Sequence, residues 1–143
     1  MGEIEDLEQI ANYKWPKIEW FEFDNIKNKI EKINSHEEYW IALGSSGIFE
    51  QAWYMRGFEK FLMDLIINPE IAKLIMDKIF QFVCELTVQS IEAAKGKIDM
   101  VLTGDDIGGQ EGLLISKDIW VKLIKPYLKK FCDLYHSYGV KVR

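Results

Sequence analysis

A parallel α/β fold is what this sequence predicts: about two and a half β/α units of a TIM-type (β/α)8 barrel, carried on long helices. Two short apolar runs, Tyr39–Leu43 and Ile98–Thr103, each open into a small polar or glycine-bearing loop and then a helix. Between them, apolar positions recur at helical spacing over long stretches. Val140-Lys141-Val142-Arg143 then reads as the start of a third strand. Strands alternating with helices imply parallel pairing, and parallel strands are expected to be buried on both faces. The chain stops on a strand with no helix to cover it, whereas a closed barrel takes roughly 250 residues. The expectation is therefore a portion of a larger barrel, with a helical lead-in over residues 1–35 and barrel units over 36–143.

Each element has its own signal. Ile4, Leu7 and Ile10 suggest a short first helix, and Pro16 biases Trp15 toward an extended lead-in. Asp24 is a plausible N-cap for a helix whose stripe is Ile26, Ile30 and Ile33, ending near Asn34-Ser35. After the first strand, Gly44-Ser45-Ser46-Gly47 forms a loop, Phe49–Met55 a helix, and Gly57 an interruption before Phe58–Ile67. Asn68-Pro69 is a start signal for a helix carrying Ile71, Ile75, Ile79, Phe82 and Leu86 inward, with Gly96 as its stop. Ser116 caps the last helix, and Ile119, Leu123, Tyr127, Phe131 and Leu134 face the core. Pro126 in its middle should kink or break it, and Gly139 ends it.

Composition narrows the function classes. The chain is 48% apolar, 13% aromatic and 29% charged, the profile of a globular domain. A net charge of −5 disfavours nucleic acid, which rewards a basic face. No apolar run is long enough to span a membrane, and the acidic start Met1-Gly2-Glu3-Ile4-Glu5-Asp6 is unlike a signal peptide. The expected location is cytoplasmic. Cys84 and Cys132, both in helical patterns, read as buried reduced thiols.

In parallel β/α architectures, ligands bind at loops after the C-terminal ends of strands. That rule promotes Ser45 and Ser46 in the first loop, and Asp105, Asp106 and Gln110 in the second, Gly104 to Gly112. It demotes His136, at a helix C-terminus, and His36, ahead of the first strand. Asp105-Asp106 admits three readings: a turn pair holding backbone amides, a metal or proton-transfer carboxylate, or a carboxylate that orients a substrate. No His or Cys lies nearby to complete a metal site, and no cofactor is expected in this chain itself. Gly44-x-x-Gly47 is too short for a dinucleotide fingerprint. Trp20-Phe21 and Trp53-Tyr54 read as core aromatics, although Tyr54 sits just past a candidate ligand loop.

Several motifs in order resemble the uroporphyrinogen decarboxylase superfamily, which includes cobalamin-linked methyltransferases. They are Gly104-Asp105-Asp106-Ile107-Gly108-Gly109-Gln110-Glu111-Gly112, Leu114-Ile115-Ser116, Lys125-Pro126-Tyr127-Leu128-Lys129-Lys130, and His136-Ser137 followed by Gly139. The resemblance covers residues 36 to 143 and implies a (β/α)8 barrel with its ligand on the C-terminal face. It implies that Tyr54 matches a tyrosine contacting the porphyrinogen, and that Asp106 falls where the decarboxylases have a substrate-contacting serine. Their substrate is a polycarboxylate, which a nearby Asp would repel unless protonated or paired. The Gly-Asp-Asp form is closer to the methyltransferase-like branch.

The resemblance thus implies a carboxy-lyase acting on a tetrapyrrole or another small molecule, as in porphyrin biosynthesis. The alternative is a methyltransferase using zinc and a corrinoid partner, whose His and Cys ligands would follow Arg143. The decarboxylases' essential Asp and Arg cluster would precede this segment. On that reading the isolated chain is inactive and, through exposed strand edges, a homo-oligomer. The candidate substrate-binding residues are Tyr54, Asp106, Asp105, Gln110 and Ser46.

Overall fold

In the computed structural model, which describes all 143 residues, the apolar stripes fold as helices where their spacing placed them. Helix α1 (Leu7–Ala11) is capped by Asp6, whose carboxylate accepts from the Gln9 amide at 2.9 Å. Helix α2 spans Ile26–Ile33; its N-cap is Asn25, one residue beyond the expected Asp24, and makes no side-chain capping bond. Helices α3 (Ile48–Arg56) and α4 (Phe58–Ile67) are separated by Gly57, whose φ of +95° only glycine adopts cheaply. Helix α5 (Pro69–Ala94) starts on its proline. The Asn68 side chain does not cap it but donates to Asp64 Oδ1 at 3.1 Å.

The strands are shorter than their apolar runs. β1 is Ala42–Gly44, β2 is Met100–Leu102 and β3 is Lys141–Val142, parallel and in the order β1-β2-β3. Leu43, Val101 and Val142 lie in one row across the sheet, with Val101 fully buried. Their neighbours Ala42, Gly44, Leu102 and Lys141 are exposed. The sheet is covered by helices on one face only, which corrects the expectation of strands buried on both. Tyr39 and Trp40, read as strand residues, precede β1 and are exposed. Trp20 and Phe21, read as core aromatics, are exposed as well.

The predicted break at Pro126 takes an unexpected form. After the short helix α6 (Lys117–Ile119), capped by Ser116 Oγ accepting from Ile119 N at 3.2 Å, the backbone winds through a π-helical turn over Trp120–Ile124. Helix α7 (Lys125–Ser137) follows at once. The wide turn places Pro126 in the first turn of α7, where its missing N–H forfeits no helical bond. The axis is rewound, not cut.

Ile75, Met76, Phe61, Phe131 and Tyr135 are fully buried in a single core. Phe131 stacks on Tyr135 at 5.5 Å between ring centroids and tilts against Phe80 at 4.8 Å. The lead-in joins this core through fully buried Ile10. Within it lies a charged pair: Arg56, 1% exposed, donates from Nε to buried Asp64 Oδ2 at 2.7 Å. A second guanidinium nitrogen donates to the carbonyls of Met1, Gly2 and Ile4, and the third lies 3.5 Å from Glu5. This one side chain ties α3, α4 and the N-terminal segment together. Cys84 and Cys132 are free and half-buried, and burial pushes the Cys84 thiol up to about 12, in keeping with reduced thiols. No helix is long and apolar enough to cross a membrane.

Candidate functional site

The loops at the C-terminal ends of β1 and β2 meet through Asp105. Its Oδ2 accepts from the Ile48 amide at 3.1 Å and its Oδ1 from the Glu50 amide at 3.0 Å. Gly47 is the N-cap residue of α3 and has no side chain to satisfy those amides, so a carboxylate from the neighbouring β/α unit does so. Gly47 must be glycine for this to happen, because a Cβ there would overlap Asp105 Oδ1 and the Gly104 carbonyl oxygen. The Ser45 amide donates to Leu102 O at 2.7 Å, adding a second tie between the two loops.

The Asp105 carboxyl is raised above its ordinary value by burial, against the opposing pull of the amides of Glu50, Ile48 and Phe49. Its folded value therefore exceeds its unfolded one, and its contribution to stability is present at low pH and lost as pH rises through the folded value. Relative to Asp105→Asn, the native protein should lead most at low pH, by about 1 kcal/mol or more. The lead should shrink with rising pH and then level off. Urea midpoints from about pH 3.5 to 6.5 measure this; a lead that widens with pH would mean the helix amides outweigh burial.

With Asp105 turned inward, Asp106 is left exposed on the loop that follows β2. Tyr54, on α3 and 69% exposed, donates its hydroxyl to Glu50 Oε1 at 3.1 Å. That bond, then the charge of Glu50, then desolvation, and least of all the charge of Asp106 raise the Tyr54 phenol above its ordinary value. Tyr54 and Glu50 thus form a hydrogen-bonded pair on α3, and the charge of Asp106 on the β2 loop reaches it. Behind it, Trp53 packs edge-on to Tyr54 at 5.9 Å and to Phe58 at 4.6 Å, setting the direction of the α3 surface. Glu50 was missed by sequence reading, although its spacing of four from Tyr54 on one helix face was a usable signal.

The other candidates lie apart. Ser46 is exposed on the rim of a hollow of about 240 Å³ shared with Phe21, Phe23, Leu86 and Ser90. Ser45 faces the helices, its hydroxyl within 3.3 Å of Thr87 Oγ1 and 3.2 Å of the Tyr135 hydroxyl. Gln110 is exposed at the tip of a small hairpin closed by the Gly108–Leu113 bridge and by Gly109 N to Gly112 O at 2.6 Å. No hydrogen bond links Gln110 to Tyr54 or Glu50. No group of three His, Cys, Asp or Glu side chains converges to hold a metal ion. The residues present therefore do not fit a zinc site. His136 is exposed at the C-terminal end of α7, as expected of a helix-end residue.

Parallel β/α units with long covering helices and polar loops gathered at the strand C-termini define a protein of the β/α-barrel class. The uroporphyrinogen decarboxylase (URO-D) family model matches residues 3–143. The chain belongs to that family, and the match takes in the lead-in as well as the β/α units. Among curated proteins and solved structures, none matches the chain.

Proposed function

We propose that this chain forms one wall of the substrate site of a URO-D-family barrel enzyme. Tyr54 and Asp106 contact the ligand, and Asp105 holds the loops in place. The observation that carries the reading is the Tyr54–Glu50 hydrogen bond on α3, the helix that follows β1, with Asp106 exposed on the loop that follows β2. It also bears on which branch of the family this is. The Glu50 carboxylate beside the tyrosine, and Asp106 on the adjoining loop, would each repel a polycarboxylate by on the order of 1 kcal/mol or more at close range. The Tyr54 hydroxyl, moreover, already spends its proton on Glu50. These carboxylates therefore favour a small molecule without a carboxylate fringe, as in the corrinoid-dependent methyltransferase branch. Decarboxylation of a tetrapyrrole is the second reading, favoured by the family description alone.

Titration with uroporphyrin, followed by the fluorescence of Trp53 and its neighbours, separates the two. Weak binding by the native chain, strengthened about tenfold by Asp106→Ser, is the expected result. Tight binding by the native chain, or no gain in the variant, returns the reading to the decarboxylase.

A further inference from the structure

The hollow of about 240 Å³ between the lead-in, the loop after β1 and helix α5 is lined by neither Tyr54 nor Asp106. Its sides differ in chemistry. Phe21, Phe23 and Phe82 supply aromatic walls, with Phe21 and Phe82 tilted at 5.8 Å between ring centroids. Ser45, Thr87 and Ser90 supply hydroxyls, and Thr87 and Ser90 are only 4% and 7% exposed. Those hydroxyls spend their protons within the protein. Ser90 donates to Leu86 O at 2.8 Å, and Ser45 Oγ lies 3.3 Å from Thr87 Oγ1 and 3.2 Å from the Tyr135 hydroxyl. A hydroxyl carries one proton and two lone pairs, so what these side chains keep free for a ligand is accepting capacity. No Lys, Arg or His lines the hollow, and its one ionisable side chain is the exposed carboxylate of Glu22.

We infer that this hollow is a binding site for a small organic ammonium ion with an apolar body. A primary ammonium brings three donors and no acceptor, which complements the lone pairs left on Ser45, Thr87 and Ser90. Phenyl rings attract a cation held within about 6 Å of their centroids, and more so where water is excluded. Glu22 and the net charge of −5 favour the approach of a cation and oppose an anion. The apolar body is needed as well, because a bare metal cation would leave the phenyl walls without a partner. Size sets its scale. An apolar cavity of about 150 Å³ admits benzene, so this larger hollow admits one ring with a short ammonium-bearing arm.

Calorimetric titration of the full chain with phenethylammonium, its uncharged counterpart phenethyl alcohol and its anionic counterpart hydrocinnamate tests this. The ammonium is expected to bind with a Kd of about 1 mM, the alcohol at least about fivefold more weakly, and the carboxylate more weakly still. Glu22→Gln should weaken the ammonium about threefold and leave the alcohol unchanged. Its circular dichroism should stay native, because Glu22 is exposed. Ser90→Leu, which fills the hydroxyl side of the hollow, should reduce binding of both by about tenfold or more. A native chain that binds no ammonium up to about 10 mM overturns the inference. So does an affinity for the alcohol or the carboxylate that equals that for the ammonium, or ammonium binding that Glu22→Gln leaves unchanged. Loss of binding in Asp106→Ser but not in Ser90→Leu overturns it as well, since the ammonium would then sit on the loop after β2.

Discussion

Arg56→Ala is expected to lower the stability of the fold by about 3–5 kcal/mol, the largest single-residue loss in the molecule. The substitution leaves the buried Asp64 carboxylate without its cation, and it strands the carbonyls of Met1, Gly2 and Ile4 that the guanidinium had gathered. Removing one member of a buried pair costs far more than the pair contributes on balance, because the survivor keeps its desolvation penalty. Tm should fall on the order of 10 °C or more. Asp64→Ala should do comparable damage from the other side, freeing the Asn68 side chain as well. The double change Arg56→Met with Asp64→Leu should recover most of the loss, since it leaves no buried charge. Thermal and urea unfolding of the two singles and the double measure this. Singles costing under about 1 kcal/mol would mean that water reaches the pair.

Gly47→Ala is expected to cost about 2–4 kcal/mol, from overpacking together with the loss of a helix cap. The backbone at Gly47 has φ −69° and ψ 160°, open to any residue, so the penalty is steric and not conformational. The added methyl displaces Asp105 from the amides of Ile48 and Glu50. It should also change the spacing of Glu50, Tyr54 and Asp106, so ligand binding falls along with stability. Gly44→Ala is the matched control, because a methyl there meets nothing within 4 Å and should be close to neutral. Equal losses in the two variants would remove the special role assigned to the Gly47–Asp105 contact.

The helices were legible because a stripe such as Ile71, Ile75 and Ile79 has a period that nothing else in the chain imitates. Their ends were legible wherever a cap or breaker was local, as at Ser116, Pro69 and Gly57. Strand limits were not. Tyr39 to Leu43 is an unbroken apolar run, and nothing in it tells the two aromatics that precede β1 from the residues that pair. The candidate site divides the same way. Tyr54 and Asp106 could be singled out from their place after strands. The separate fates of Asp105 and Asp106 could not, because the amides that capture Asp105 belong to residues 48 and 50, distant in sequence. Arg56 illustrates the limit most sharply. At a helix end it reads as an ordinary surface cation, and only the tertiary fold reveals that it is enclosed.

The π turn at Trp120–Ile124 acts as a phase shifter. It inserts one residue into a helical revolution, and one residue corresponds to about 100° of rotation about the axis. Ile119 before it, Leu123 within it and Tyr127, Phe131 and Tyr135 after it can therefore meet the same core, although an uninterrupted α-helix would drift by about 160° over five residues at that spacing. The wide turn also sits between the loop that bears Asp106 and the helix whose Tyr135 supports Ser45. The angular setting of α7 is thus adjusted at the point where the loop after β2 hands over to the scaffold.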